Sequence, residues 1–308
     1  MLSAAYEHSK ALVTRPHWML RIDSIKIALL AVGCVRHWST LYRMYRTPTG
    51  TALSHLLVDR PEVYGMVLTP FVNSKWSAAE RLKAVIGHCS VADRLQGPFN
   101  QRHDEYFTIS RLSDIGEDYR VTLDAPRWLL REGLMCLSLW EADKRIYSIS
   151  FTLSETNGLT AYVGGLQGAS VDGIADIYRR FTKASFGIRP RDMIITLFNI
   201  VCQAIDVAEI LAISDAARHQ LSRYSLARAR GIDPVNQSYD KVWLERGGIP
   251  GDNGFFSLPL EWSRRKDEDI PPNKRAQYRR RYAMLDNIHQ EIAAVFARPR
   301  NWVPEHFL

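Results

Sequence analysis

The chain has 308 residues, 46% of them hydrophobic and 24% charged, which excludes a disordered or fibrous polymer and fits one large domain or a main domain with an addition. Lys and Arg number 40 against 33 Asp and Glu, a net charge of +7. That surplus favours a polyanionic partner (a cofactor phosphate, an acidic carrier protein, an anionic membrane surface or nucleic acid), the plainer reading being a moderately basic surface.

Cys34, Cys89, Cys136 and Cys202 lie far apart, without CxxC or metal-ligand spacing, so no metal site is expected and a reducing cytoplasm fits. Cys136 and Cys202 stand in apolar runs, as small core residues do. Met1 to His8 show no basic segment leading into an apolar core, so no secretory signal is expected. Residues 1–48 read as helical, with Trp18, Leu20, Ile22, Ile25, Ile27, Ala28 and Leu29 apolar, until Pro48 and Gly50 break the pattern. The run Ile27 to Val35 is far short of the roughly 20 residues that span a bilayer. It is expected as a buried helix, the alternative being a peripheral amphipathic segment.

A helix is predicted from Ser77 to Leu95, with Ser77 as N-cap, Glu80 three positions on, and Leu82, Val85, Ile86 and Cys89 at helical spacing. From residue 104 the period changes to that of strands: Tyr106–Ser110, Tyr119–Leu123, Leu134–Trp140, Ile146–Leu153 and Leu159–Leu166. Turns at 141–144 and at Asn157-Gly158 make them an antiparallel meander. Ile174, Ile177, Tyr178 and Phe181 then mark a helix closed by Gly187, and Pro190 opens a second one that is nearly all apolar. Ile210–Ser214 reads as a buried strand, 239–245 as a short helix, Gly254–Leu260 as a strand near an edge, and 273–297 as the last helix.

Four groups of residues stand out between positions 120 and 297. They are Tyr162-Val163-Gly164-Gly165-Leu166-Gln167-Gly168; Thr182-Lys183 with Gly187-Ile188-Arg189-Pro190; Tyr239-Asp240 with Trp243 and Glu245; and Lys274-Arg275 with Tyr278-Arg279-Arg280-Arg281-Tyr282. In this set the chain resembles the VirK/YbjX family of proteobacterial proteins. The resemblance implies an intracellular protein of Gram-negative bacteria, cytoplasmic and either free or peripheral to the inner membrane. Members are linked to envelope stress, virulence and resistance to cationic antimicrobial peptides. The family carries no accepted catalytic mechanism.

The element order also resembles the GNAT acyltransferase fold. This implies an α+β domain over 101–308, a central antiparallel or mixed sheet flanked by helices, behind a mainly helical region over 1–100. In that fold a bulged strand ends in a turn whose N–H groups, with the next helix N-terminus, grip the pyrophosphate of an acyl-CoA. Here Gly164 and Gly165 would be the bulge and Gln167, Gly168, Ala169 and Ser170 the turn, with Lys183 and Arg189 as further phosphate contacts. Two departures stand: the glycine expected at 170 is Ser170, and two helices replace one. The alternative is that Gly164 and Gly165 serve only strand curvature.

Acyl transfer needs a base for the acceptor proton and groups that hold the thioester carbonyl. Glu155, at a strand end, and His219, just past the strand at 210–214 with Asp215 near in sequence, are the candidate bases. Their plainer readings are a solvated carboxylate and a solvent-facing histidine. His37 and His88 are expected in the core or on helix surfaces. Tyr239, Asp240 and Glu245 are candidates for the acceptor site. No permanently bound cofactor is expected. The donor would be acyl-CoA or an acyl carrier protein, the acceptor an amine or hydroxyl of a lipid, peptide or protein. The alternative function is a non-catalytic basic protein that binds an anionic partner through the Arg/Lys-rich segment 264–281, with nucleic acid the weakest option.

Overall fold

A computed structural model describes residues 20–102, 105–155, 157–221, 238–261, 264–297 and 305–306. The N-terminal region is helical, with α1 (Leu20–Arg36), α2 (Trp38–Tyr45) and α3 (Ala52–Asp59). Helix α1 departs from the expected buried helix. Cys34 is buried, but Leu29, Val32 and Val35 are 43%, 64% and 74% exposed. The reason is geometric: an all-round apolar helix needs neighbours on all sides, and among the described residues α1 packs against the 3-10 turn Pro61–Val67, through Gly33 against Val67, and against α2. Trp18 lies outside the described residues, as do the side chains of Leu20, Ile22 and Ile25.

Helix α4 (Ala78–Leu95) starts in the capping box its sequence announces. The Glu80 N–H donates to Ser77 Oγ at 3.3 Å, and the Ser77 N–H donates to Glu80 Oε2 at 2.6 Å. Leu82, Val85, Cys89 and Ala92 face the core.

Among the described residues, nine strands form one sheet in the order β7-β8-β6-β5-β4-β3-β2-β1-β9. The strands β1 (Glu105–Ser110), β2 (Tyr119–Asp124), β3 (Met135–Glu141), β4 (Lys144–Glu155) and β5 (Leu159–Gly168) make the predicted antiparallel meander. Helices α5 (Ile174–Ala184) and α6 (Pro190–Ala204) then carry the chain over to β6 (Glu209–Ile213), which runs parallel to β5. Helix α7 (Tyr239–Glu245), the short β7 (Ile249–Pro250) and β8 (Phe255–Leu258) follow, and β8 pairs antiparallel with β6. Helix α8 (Arg275–Ala297) packs on α6 and β1, and β9 (Glu305–His306) pairs with β1.

Both faces of the central strands are covered, so β4 is buried from Ile146 to Ser154. Phe151 meets Phe198 of α6, with ring centroids 5.0 Å apart, whereas Ser154 lies against Gly87 of α4. Positions of opposite parity face opposite sides, so the two helices sandwich the sheet. His88 anchors α4 to it, its Nδ1 accepting from the Leu153 N–H at 3.1 Å. Burial holds this imidazole neutral, its pKa lowered to about 3. Cys136 and Cys202 are buried core thiols, as their surroundings predicted. No helix among the described residues is long and apolar enough to cross a membrane.

Candidate active site

The β4–β5 ladder slips between Ser150↔Gly165 and Phe151↔Val163, so Gly164 is an extra residue and β5 bulges there. Something specific fills the bend. A Cβ on Gly164 would stand 2.1 Å from the Glu132 carbonyl oxygen, and a Cβ on Gly165 would stand 1.8 Å from Glu132 Oε2. Glycine at both positions is what lets Glu132 lie on the strand backbone. The β5–β6 pairing runs only from Thr160↔Glu209 to Val163↔Ala212. Beyond the bulge the two strands separate, and α7 occupies the gap. The Leu166 N–H donates to the Tyr239 hydroxyl at 2.9 Å, and Trp243 Nε1 donates to the Ile213 carbonyl at 2.9 Å.

Glu132 is 3% exposed. Gln167 Nε2 donates to both its oxygens, at 2.6 and 2.7 Å, and Gln220 Nε2 donates to Oε1 at 2.8 Å. Burial raises the carboxyl pKa to about 7, against the opposing pull of the Gln167 bond, the Arg218 charge and the Gln220 bond. Arg218 is buried with its guanidinium 3.8 Å from the centre of the Tyr239 ring. Burial, then the Glu132 charge, raises the Tyr239 pKa, so its hydroxyl keeps its proton at neutral pH. His219 is half-buried. Desolvation and the nearby Arg131 and Arg218 charges lower its pKa to about 3, so it is neutral. Among the described residues, two buried polar atoms here have no hydrogen-bond partner: His219 Nδ1 and Gln220 Oε1. A near-neutral carboxyl, a protonated phenol and a guanidinium thus gather at the bulge, a composition suited to proton transfer beside developing negative charge.

The residues singled out from sequence divide. Gly164, Gly165, Gln167 and Tyr239 join this cluster, and His219 stands between two of its members, Arg218 and Gln220, in the sequence. Glu155 does not: it ends β4 opposite Leu159, exposed, and pairs with Arg94 at 3.4 Å. Asp215 does not orient His219. It accepts from the Ser238 Oγ and from the backbone N–H of Tyr239 and Asp240, while Asp240 Oδ1 accepts from the Asp215 N–H at 2.7 Å. Asp215 and Asp240 therefore fasten the start of α7 to the end of β6. Glu245 is exposed and pairs with Arg191 at 2.8 Å.

The turn after β5 is similarly occupied. A Cβ on Gly168 would strike the Tyr178 hydroxyl at 2.4 Å, and the Ala169 N–H donates to the Ile146 carbonyl. Ser170 is exposed, and α5 begins only at Ile174, with Asp176 in its first turn pairing with Arg179. Lys183 is exposed at the other end of α5, about 14 Å along the axis from its start, and Arg189 is exposed as the N-cap residue of α6. They do not form one phosphate grip with the turn. Sequence reading missed Glu132, Arg218 and Gln220. The one available signal was a charge, Glu132, next to Gly133 between two apolar runs.

The family signature described as "Protein of unknown function (DUF535)" matches residues 25–294. An "Uncharacterized protein" of Haemophilus influenzae is 30% identical over 230 residues, covering 73% of this chain and 75% of that protein. A second H. influenzae protein, printed under the same description, is 29% identical over 279 residues, 90% of this chain and 87% of its own length. "Uncharacterized protein YbjX" of Escherichia coli is 31% identical over 150 residues, 48% of this chain and 44% of that protein. The chain belongs to the DUF535 family, in agreement with the VirK/YbjX resemblance of its motifs. No solved structure matches it.

Proposed function

We propose that the chain is a GNAT-like acyltransferase whose base is Glu132. The observation that carries this reading is a buried carboxyl, its pKa near 7, seated on a double-glycine bulge where a parallel strand pair separates. A group that titrates near neutrality can accept a proton and return it at physiological pH. In the proposed step an amine or hydroxyl of a lipid, peptide or protein acceptor attacks the thioester carbonyl of acyl-CoA or an acyl carrier protein. The new C–N or C–O bond forms, the acceptor proton passes to Glu132, the C–S bond breaks, and the thiolate leaves with that proton. The Tyr239 hydroxyl and the Arg218 guanidinium stabilise the negative charge that develops on the carbonyl oxygen. Glu155 has no part in this scheme, and His219 serves as a neutral polar wall.

Binding of acyl-CoAs of increasing chain length, measured by calorimetry at two salt concentrations, tests the reading. Saturable binding that strengthens with chain length and survives salt is expected. Transfer to an amine acceptor should fall by roughly 10²-fold or more in Glu132→Gln while donor affinity is kept. Binding that ignores the chain and vanishes with salt would sink the proposal. That outcome would favour the alternative, an anion-binding protein using the exposed Lys274, Arg279 and Arg280 of the C-terminal segment.

A further inference from the structure

Away from this site, helices α1 and α2 turn an apolar face outward. Eleven large apolar side chains stand exposed among the described residues, and six of them fall between Leu29 and Tyr45. In α1, Leu30 and Cys34 pack on the core, while Ala28, Ala31, Val32 and Val35 stand exposed at i, i+3, i+4 and i+7. In α2, Leu41 and Met44 are buried, while Trp38, Tyr42 and Tyr45 stand exposed at i, i+4 and i+7. The Trp38 and Tyr42 rings stack with their centroids 6.1 Å apart. Each helix thus has two apolar sides, one taken by the core and one turned away from it. A protein surface rarely shows so much apolar area in one place unless something binds there.

The charge on this face has one sign. From Ser24 to Val58 the sequence holds Lys26, Arg36, Arg43 and Arg46 and no Asp or Glu. Arg36, Arg43 and Arg46 are exposed. They directly follow Val35, Tyr42 and Tyr45, so each is rotated by about 100° from an exposed apolar side chain and stands beside the stripe rather than in it.

We infer that α1 and α2 dock the protein on an anionic lipid bilayer. The helices lie along the membrane surface. Val32 and Val35 enter the boundary of the acyl chains, Trp38, Tyr42 and Tyr45 settle at the level of the headgroups, and the three arginines meet lipid phosphates. A second copy of the chain fits this face poorly, since a two-fold contact sets the same arginines against one another. An acidic protein matches the charge but leaves the aliphatic stripe without an apolar partner. The inference is independent of the acyl-transfer reading, since this face uses none of Glu132, Arg218 or Tyr239.

The test is flotation of the full chain with vesicles of phosphatidylcholine alone and of phosphatidylcholine mixed with phosphatidylglycerol. Binding to the mixed vesicles is expected, weakened but not abolished by salt, with little binding to the neutral ones. The triple variant Arg36→Gln, Arg43→Gln, Arg46→Gln should lower partitioning onto the mixed vesicles by roughly 10²-fold. The double variant Val32→Gln, Val35→Gln keeps the charge and should lower it by roughly tenfold or more. Both variants alter exposed side chains on helices, so the melting temperature without lipid should stay the same. A fall in melting temperature in the valine variant would show that the chain itself covers the face, and a change from dimer to monomer would show that a second copy does. Either result would overturn the inference, as would binding to neither vesicle, equal binding to both, or binding unchanged in both variants.

Discussion

Glu132 concentrates the chemistry of the cluster in one side chain, and its titration gives a test that does not depend on knowing the substrate. Its folded pKa, about 7, lies above the ordinary value of 4.5. The folded state therefore binds this proton more tightly than the unfolded state. Stability from this group is fully present below pH 4.5 and is lost as pH rises through 7. Glutamine is neutral throughout, so it removes the term. Glu132→Gln is expected to gain on the wild type between pH 5 and pH 8, by on the order of 3 kcal/mol if the full shift is realised. Denaturant midpoints at both pH values measure it. A difference independent of pH would show that Glu132 is ionised in the fold across this range, and with it would go the near-neutral base.

At the scale of elements, what was legible in the sequence was what repeats locally. Alternation at 119–123, 146–153 and 159–166, with turn residues between, announced the meander, and the Ser77–Glu80 spacing announced the start of α4. Residues that meet only through the sheet left no such mark. Glu132 stands 32 positions before Gly164, and Gln220 stands 88 after Glu132, so no periodic pattern links the three. Glu155 was misread for the same reason, since a strand end shows in the sequence but its distance from the bulge does not. Helix α1 failed differently. Apolar composition says that a segment can be buried, and whether it is depends on what the rest of the chain sets against it.

The α4 cap gives this scale its prediction. Ser77→Ala removes the acceptor of the Glu80 N–H and should cost about 1 kcal/mol, whereas Ser77→Gly should cost only a few tenths. Urea unfolding would read both. Equal losses in the two variants would mean that the serine packs rather than caps.

At the scale of the whole molecule, the last helix ties separate parts of the domain together. Helix α8 places Met284, Leu285, Ile288 and Ile292 in the core and lies across α6 and β1. Its first half is held by polar bonds to the turn between α5 and α6. There Phe186 and Gly187 both take left-handed backbone conformations, with φ 52° and 87°. The Phe186 carbonyl receives Arg281 Nε at 3.1 Å, Arg281 Nη2 at 2.7 Å and Gln277 Nε2 at 3.0 Å. The same guanidinium lies 4.2 Å from the centre of the Tyr278 ring. Much of the basic character of this segment is thus structural: Arg264 pairs with Asp286 and Arg275 donates to the Ile270 carbonyl. A fork of donors cannot be reproduced by a lysine ammonium. Arg281→Lys should therefore lose nearly as much as Arg281→Met, about 1–2 kcal/mol, although it keeps the charge. The loss should be local. Hydrogen exchange is expected to speed up over 275–283 while the core-facing amides from 284 to 292 stay protected, because the apolar contacts of the second half do not pass through Arg281. If lysine restores full protection, charge rather than geometry docks the helix. The segment would then have to be counted again as a basic surface available to a partner.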